Sequence, residues 1–254
     1  MENNSQGKVR QFKKLLDTSN SILGFTGAGI STESGISDYR SQGGIWDRFQ
    51  PVYFDEFLHD AEKRMLYWQR KVEMWPQIAD AQPNRGHLFF GELHEQGKLL
   101  GLITQNIDGL HEKGGVPMEK IITLHGNARE IRCLSCGNIT SAEPLFAGLD
   151  LEQDGPPVCA LCGGLLKPDT ISFGQNLNQS DLDRAYELSR ECDFMIALGS
   201  TLVVQPAARF PAVAQKNGAA LAIVTLTDTP LDDIADLVIH MKIGEFLKKL
   251  ESTQ

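Results

Sequence analysis

Four of the five cysteines occur as two C-x-x-C pairs, Cys133 with Cys136 and Cys159 with Cys162. Two such pairs supply the four thiolates that hold Zn²⁺ in a tetrahedral site. Because sulfur would occupy all four positions, this zinc should be structural, with no open position for catalysis. Buried or redox-active thiols are the alternative for a single pair, but two pairs favour a metal. Cys192 stands alone and is interpreted as a small core residue.

A glycine-rich turn with Gly27 and Gly29 follows the apolar run ILGFT. A strand, a G-x-G turn and a helix would direct backbone N–H groups and the helix dipole at a phosphate. Thr32 stands where a dinucleotide fingerprint would place its third glycine. The acidic ribose ligand expected about 20 residues further on would fall in SQGGIWDRF, which does not read as a strand. These departures disfavour a hydride-transfer dehydrogenase.

Polar side chains follow two predicted strands. The run LLGLITQN leads into Gln105, Asn106, Asp108 and His111, and IITLHG brings in His125. Because the carboxyl ends of parallel strands form the ligand crevice of an open α/β sheet, these residues predict a functional site. A lone histidine is more often structural, but several polar strand ends in one chain favour chemistry.

The elements that would position these residues alternate between strand and helix. Apolar runs predict strands within 21–29, 99–106, 120–126, 193–201, 220–226 and 235–241, and helical patterns cover 12–19, 84–99, 178–192, 206–218 and 243–251. Ser180 is the expected N-cap of the helix over 178–192. This alternation predicts an α/β fold built on a Rossmann-like, doubly wound parallel sheet.

Two interruptions of the alternation predict a second, smaller domain that binds zinc. Residues 36–83 are rich in aromatic side chains and are interpreted as loop plus irregular helices, and residues 129–170 carry the cysteine pairs. Residues 1–35, 84–128 and 171–254 would then form the Rossmann-like domain. Residues 36–83 and 129–170 would form the small domain, a helical module plus a four-cysteine zinc module.

Composition narrows the function classes. The chain has 254 residues and a formal net charge of −9, which disfavours nucleic acid as a partner because phosphate contacts need a basic face. A zinc ribbon could bind nucleic acid, but the acidic run LFAGLDLEQDG interrupts this one. No apolar run reaches the roughly 18–20 residues of a membrane span, and the N-terminus shows no signal-peptide pattern. We expect a cytoplasmic monomer without a membrane partner.

An ordered set of motifs carries a family resemblance. The set is GAGISTESGISDYR, TQNIDGLH, LHG, the two C-x-x-C pairs, LKPDTISFG, GSTLVVQPAA and TDTPLDDIADLVI. From about residue 9 to residue 250, the chain resembles the sirtuins, NAD-dependent protein-lysine deacylases, and is similar to their compact bacterial and archaeal members. The resemblance implies that NAD, consumed as a co-substrate, lies between the Rossmann-like NAD-binding domain and a domain with one structural zinc. The implied partners are acylated lysine peptides and proteins.

The resemblance also assigns residues to NAD. They are Gly27, Ala28, Gly29, Thr32, Tyr39, Arg40, Gln105, Asn106, Ile107, Asp108, Gly199, Ser200, Thr201, Thr225 and Ile243. Asn106, Ile107 and Asp108 would form the nicotinamide pocket. The family usually has Asn where this chain has Thr225, so a weaker hold on NAD is expected. Thr227 offers no carboxylate to a ribose diol.

His125 is the implied general base. In the family, the acyl oxygen attacks C1′ of the nicotinamide ribose, nicotinamide leaves and an alkylimidate forms. His125 would then deprotonate a ribose hydroxyl that attacks the imidate carbon, giving free lysine and 2′-O-acyl-ADP-ribose. A histidine whose pKa lies near neutrality suits this role.

On the substrate side, the resemblance implies that an acyl-lysine peptide adds as a strand beside Phe173, Gly174 and Val203. Phe173 and Val203 could equally be ordinary core residues. Tyr67 and Arg70 form a Tyr-x-x-Arg pattern, and residues three apart share a helix face. Some sirtuins use such a pair to bind succinyl or malonyl carboxylates. The alternative is a surface arginine beside a core tyrosine.

Other functions stay open at this level. A protein mono-ADP-ribosyltransferase would use the same NAD cleavage, although the presence of His125 favours deacylation. A non-enzymatic sensor of NAD or ADP-ribose would release no nicotinamide with any acyl peptide. A dehydrogenase, the least favoured class, would produce NADH absorbance on turnover.

Overall fold

The structure, a computed structural model, describes residues 2–39 and 43–253. Arg40, one of the predicted NAD-binding residues, lies outside the described residues.

The strands are β1 (Ile22–Thr26), β2 (Leu99–Thr104), β3 (Ile121–Thr123), β4 (Gly126–Cys133), β5 (Ile139–Ser141), β6 (Leu166–Thr170), β7 (Phe194–Leu198), β8 (Ala220–Thr225) and β9 (Leu237–His240). The helices are α1 (Glu2–Thr18), α2 (Ile45–Arg48), α3 (Phe54–His59), α4 (Ala61–Asp80), α5 (Arg85–Glu95), α6 (Leu110–Lys113), α7 (Ala142–Gly148), α8 (Leu151–Asp154), α9 (Gln179–Glu191), α10 (Arg209–Lys216) and α11 (Ile243–Glu251). Among the helices of the described ranges, none combines the length and the hydropathy that crossing a membrane requires.

Two sheets organise these elements. In the described residues, the larger sheet has six parallel strands in the order β3-β2-β1-β7-β8-β9. The smaller sheet is antiparallel, with β4 between β5 and β6. The predicted fold class, a Rossmann-like parallel sheet with a smaller zinc-binding part, is confirmed.

The larger sheet is covered by helices on both faces, as a parallel sheet must be. All five residues of β1 are buried, which explains why its sequence is a continuous apolar run rather than an alternating one. One face packs Phe12 of α1, Phe90 of α5 and Phe246 of α11 in a common cluster. The opposite face packs Ala185 of α9 and Phe210 of α10. Burial on both faces fixes the sheet in the middle of the core.

A third hydrophobic cluster lies away from the larger sheet. It joins Tyr67 and Trp68 of α4 to Ile131 of β4 and Ala142 of α7. Both predicted insertions therefore contribute to one separate core. The division into two domains stays a prediction, which this cluster supports.

Two local predictions were wrong. Residues 61–80 lie in the segment interpreted as loop plus irregular helices, and they form the regular 20-residue helix α4. Two features obscure the helical pattern in the sequence: α4 buries bulky aromatic side chains, and it contains Pro76, a residue that helix interiors usually exclude. The N-cap of α9 is Asn178 rather than Ser180, since the Asn178 side chain accepts the N–H of Ser180 at 2.9 Å.

Candidate active site

The candidate active site is a cleft of about 1330 Å³ beyond the carboxyl ends of β1, β2, β7 and β8. The chain runs outward from β1 to β3 on one side of the sheet and from β7 to β9 on the other. The loops after β1 and β7 therefore lead in opposite directions and open a crevice between them. The volume is sufficient for a dinucleotide together with part of a second substrate, since pockets for one drug-sized ligand measure roughly 300–1,000 Å³.

Three glycines bring the loops after β1 and β7 into direct backbone contact. The Gly29 N–H donates to the Gly199 carbonyl oxygen at 2.9 Å. A Cβ at Gly29 would lie 2.8 Å from that oxygen, and a Cβ at Gly27 would lie 2.8 Å from the Cβ of Ser200. Gly199 has a φ of 65°, which L side chains rarely adopt. The two glycines of the G-x-G pattern are therefore required by contact between the loops, whether or not a phosphate binds.

Most of the residues predicted to bind NAD line this cleft. They are Gly27, Ala28, Gly29, Thr32, Tyr39, Gln105, Asn106, Ile107, Gly199, Ser200, Thr201, Thr225 and Ile243. Asp108 is not among the lining residues. The carboxyl ends of β1, β2, β7 and β8, with the loops that follow them, and the first residue of α11 thus supply one surface. The individual roles on it stay predictions.

The predicted substrate residues lie on the same cleft with one exception. His125, Tyr67, Arg70, Phe173 and Gly174 line it, whereas Val203 does not and its neighbour Val204 does. Phe173 and Val203 are 47% and 48% exposed. Neither is therefore a core residue, which removes that alternative.

Asp108 supports the cleft from behind. Its carboxylate is buried and accepts hydrogen bonds from the Ser31 hydroxyl at 2.7 Å and the Leu110 N–H at 2.9 Å. The Ser31 hydroxyl in turn accepts a hydrogen bond from the Asn106 amide at 3.0 Å. Asp108 thereby fixes the orientation of Asn106, which does line the cleft. Ser31 was not predicted, although it lies only two residues after Gly29 of the G-x-G turn.

His87 completes this network and was also missed by sequence reasoning. Its Nδ1 lies 3.2 Å from the Asn84 N–H, so Nδ1 accepts and Nε2 carries the proton. Nε2 can then donate to the Ser31 hydroxyl at 3.3 Å. Burial lowers the pKa of His87 to about 4, against the opposing charge of Asp108. A neutral His87 is therefore part of the folded structure at neutral pH.

His111, predicted as a polar strand-end residue, is buried beside the network instead. Its Nε2 lies 2.9 Å from the hydroxyl of Thr26, which also bonds to the hydroxyl of Thr104 at 2.8 Å. Burial, and next the charge of His87, hold the pKa of His111 well below its ordinary value. His111 is thus a structural residue between β1, β2 and α6.

His125 lies between the end of β3 and the start of β4, on the wall of the cleft. Its Nδ1 is 3.0 Å from the carbonyl oxygen of Gln105. A carbonyl only accepts, so Nδ1 must carry the proton and Nε2 must hold the free lone pair. Burial lowers the pKa of His125, while the Gln105 carbonyl raises it. The imidazole is therefore neutral at neutral pH and able to accept a proton through Nε2.

The four cysteines of the two pairs converge at the small sheet. A tetrahedral zinc with Zn–S bonds of about 2.3 Å separates its sulfurs by about 3.8 Å. The Sγ atoms of Cys133 and Cys162 are 3.5 Å apart, and those of Cys136 and Cys159 are 3.8 Å apart. All four Sγ atoms lie within 4.8 Å of one another, and the thiols are free. This donor set fits one structural zinc. Cys192 lies apart in the core, as predicted.

Comparison with known proteins gives a consistent result. The family model described as "Sir2 family" matches residues 27–206. The "NAD-dependent protein deacetylase 1" of Bradyrhizobium diazoefficiens is 46% identical over 239 residues, 94% of this chain and 93% of that protein. The "NAD-dependent protein deacylase" of Aquifex aeolicus is 40% identical over 234 residues, 90% of this chain and 93% of that protein. A solved structure described as "Sir2-p53 peptide-NAD+" superposes with a TM-score of 0.86 at 37% identity, over 96% of this chain and 98% of that one.

Proposed function

The chain belongs to the Sir2 family, and on that premise we propose that it removes acyl groups from protein lysines with consumption of NAD. The observation that carries the proposal is the state of His125, a neutral base with a fixed tautomer on the wall of the cleft. Relatives named as NAD-dependent protein deacetylases and a neighbour solved with a peptide and NAD support it.

NAD, when bound, supplies a ribose carbon that accepts the acyl oxygen as nicotinamide leaves. The residues of this chain would hold its nicotinamide half rigidly. The Gln105 amide donates to the Ser200 hydroxyl at 2.9 Å, which ties the loop after β2 to the loop after β7. Asn106 is held by the Ser31 hydroxyl. Both side chains are oriented before any ligand arrives, which reduces the entropy lost on binding.

The proposed role of His125 is to accept a proton from a ribose hydroxyl through Nε2. The Nδ1–H bond to the Gln105 carbonyl persists in the imidazolium that results, and it stabilises the added charge. The deprotonated hydroxyl would then attack the acyl carbon, and the bond from that carbon to the lysine nitrogen would break. Addition of a water molecule to the acyl carbon would release it from the oxygen on C1′. The products are free lysine, nicotinamide and 2′-O-acyl-ADP-ribose.

The test compares His125→Ala with the wild type on an acetyl-lysine peptide, using mass spectrometry to follow the peptide and the acylated ADP-ribose. We expect a loss of deacylation of at least about 100-fold, the usual contribution of a general base, while the variant still binds NAD. Turnover near the wild-type rate would contradict the assignment. Transfer of ADP-ribose to protein without deacylation would instead indicate a mono-ADP-ribosyltransferase.

The acyl group forms the finer part of the proposal. Tyr67 and Arg70 both line the cleft from α4, which supports their use in binding the carboxylate of a succinyl or malonyl group. The Tyr67 hydroxyl and the Arg70 Nε are buried. The Thr170 and Ser172 side chains interact with the Tyr67 hydroxyl, whereas the Arg70 Nε has no hydrogen-bond partner among the described residues. Burial raises the pKa of Tyr67, so its hydroxyl stays protonated and can donate.

The test measures kcat/KM for succinyl-lysine and acetyl-lysine forms of one peptide, in wild type and Arg70→Met. If the Arg70 guanidinium binds the acyl carboxylate, the ratio of succinyl to acetyl kcat/KM should fall at least about tenfold in Arg70→Met. The reason is that one charge-assisted hydrogen bond contributes roughly 1.5–3 kcal/mol. If the wild type does not turn over succinyl-lysine, this part of the proposal is wrong, and the acetyl-lysine activity decides the deacylase proposal separately.

A further inference from the structure

The Tyr67–Arg70 pattern does not account for all the positive charge in the acyl region of the cleft. Lys71 follows Arg70 on α4 and lines the cleft in a half-buried position. It is four residues after Tyr67 and therefore shares a helix face with it. The Lys71 Nζ lies 5.2 Å from the centre of the Tyr67 ring. A second cation thus stands beside the phenol and the guanidinium.

A third cation lies behind this surface. Lys167 on β6 is buried, with 1% of its surface exposed, and its Nζ is 5.9 Å from the centre of the same Tyr67 ring. The ammonium group donates to the carbonyl oxygens of Pro168, at 3.3 Å, and Thr170. Lys167 is therefore held by backbone oxygens, whereas Lys71 is held by none of the hydrogen bonds found in the described chain.

Among the described residues, the two lysines also have no direct carboxylate partner. In the parts of the chain that the structure describes, neither Lys71 nor Lys167 belongs to an ion pair. The acidic residues that line the cleft in those parts are Glu33 and Asp38, both from the loop after β1. The charged residues that α4 contributes to the cleft are Arg70 and Lys71, both of them cations.

An unpaired, half-buried ammonium group is costly, and the structure shows the consequence. Burial lowers the pKa of Lys71 to about 8. Burial, followed by the charge of Lys71, lowers the pKa of Lys167 to about 7, against the opposing charge of Asp169. A bound anion would offset these penalties, because an opposite charge favours the protonated form of both lysines.

We infer that Lys71 is a specificity-determining residue, which binds the terminal carboxylate of a dicarboxylic acyl group on lysine together with Tyr67 and Arg70. This inference rests on the proposed deacylase function. One face of α4 would present three donors to the carboxylate: a phenol, a guanidinium and an ammonium group. The guanidinium is already engaged in part, since it donates to the Gln50 carbonyl and lies 5.5 Å from the centre of the Phe49 ring. The ammonium group of Lys71 is the donor with no such hydrogen bond among the described residues.

The experiment measures kcat/KM for acetyl-, succinyl- and glutaryl-lysine forms of one peptide, with nicotinamide release as the readout. The variants are Lys71→Met, which keeps an unbranched side chain one atom shorter and without its charge, and Lys71→Arg, which keeps a cation. Lys63→Met is the matched control, because it removes a lysine of the same helix that is outside the cleft lining and paired with Glu56.

In Lys71→Met, we expect the ratio of succinyl to acetyl kcat/KM to fall about tenfold, mainly through KM, because a uniform binding interaction is lost. Lys71→Arg should restore most of the ratio, and Lys63→Met should leave it at the wild-type value. An unchanged ratio in Lys71→Met, with a collapsed ratio in Arg70→Met, would overturn the inference and leave the Tyr67–Arg70 pocket intact. Equal losses on all peptides would also overturn it. Absence of activity on every peptide in the wild type would count against the proposed function itself.

Discussion

At the scale of single residues, the site depends on which nitrogen of each histidine carries a proton. In His125 the Gln105 carbonyl places the proton on Nδ1, and in His87 the Asn84 N–H places it on Nε2. His125 is thereby left with a free lone pair on the cleft wall, whereas His87 becomes a donor to the buried Ser31 hydroxyl. The same residue type therefore acts as a candidate base in one place and as a structural donor in another.

The pH dependence of deacylation tests His125. The pKa of His125 is lowered by burial, so the base stays neutral below the ordinary histidine value of about 6.5. We expect kcat/KM on an acetyl-lysine peptide to be constant near neutral pH and to fall with a midpoint below pH ~6.5. Circular dichroism at each pH provides the control for folding. A midpoint above that value would contradict the assigned environment.

The acid stability of the fold tests His87. Its pKa is about 4 in the folded chain and about 6.5 when unfolded, so the unfolded chain binds the extra proton between these values. The contribution of His87 to the free energy of unfolding is therefore fully present above pH ~6.5 and is lost as the pH falls towards 4. The expected loss is on the order of 2 kcal/mol between pH 7.5 and pH 5. Urea unfolding at both pH values measures it.

The matched comparison uses His87→Gln and His59→Gln. A glutamine at position 87 can accept and donate without titrating, so we expect a smaller difference in unfolding free energy between the two pH values. His59 is on the surface, with 73% of its side chain exposed, and its replacement should preserve the wild-type difference. The same difference in all three proteins would show that His87 is not the group responsible.

At the scale of elements, the loop after β1 contacts two other elements that line the cleft, the loop after β7 and the start of α11. Its glycines contact the loop after β7, and Glu33 reaches the first turn of α11, where its carboxylate accepts the Gly244 N–H at 3.0 Å. A helix N-terminus favours a negative charge, because its N–H groups are unpaired and its dipole is positive there. Thr32 and Ile243 line the cleft on the two sides of this contact.

Removal of the Glu33 charge tests this contact. Glu33→Gln keeps an acceptor but loses the interaction of the charge with the helix dipole, which contributes about 0.3–1 kcal/mol. We expect NAD affinity, measured by titration calorimetry, to fall about two- to fivefold. Glu245→Gln is the control, because Glu245 lies in the same helical turn but pairs with Lys249 at 3.1 Å. Equal effects of the two substitutions would argue against a specific role of Glu33.

At the scale of the whole molecule, β4 connects the metal centre to the catalytic cleft. This strand begins at Gly126, directly after His125, and ends at Cys133 of the four-cysteine cluster. Its pairing with β5 and β6 forms the small sheet. Order at the cysteine end of the strand therefore supports the position of His125, the candidate base, at the other end.

Loss of the metal tests this connection. We expect one zinc per chain, and in Cys136→Ala a weaker hold on zinc with a melting temperature lower by more than about 5 °C, because structural zinc contributes directly to folding free energy. Metal analysis and thermal denaturation measure both quantities. Cys192→Ala is the control, since it removes a buried thiol outside the cluster. A zinc content of one per chain in Cys136→Ala, with unchanged stability, would exclude the four-cysteine centre.

The sequence by itself determined the elements of the larger sheet and several residue types of the candidate site. Continuous apolar runs predicted the strands of the parallel sheet, the paired cysteines predicted the zinc centre, and the ordered motifs placed Gly29 and His125. These patterns are readable because each rests on local spacing: two residues between ligands, one apolar run per strand, and one polar group where a strand ends.

Only the tertiary structure decided which of those residues line the cleft and which support it from behind. The contacts that decide this join segments far apart in the chain. Ser31 bonds to Asp108 across 77 positions and to His87 across 56, and these contacts place Asp108 behind the cleft instead of on its wall. Lys71 and Lys167 approach the same tyrosine ring from a helix and a strand. Burial, which sets the pKa of each of these groups, is likewise a property of the packed chain, since desolvation requires neighbours that local sequence does not supply.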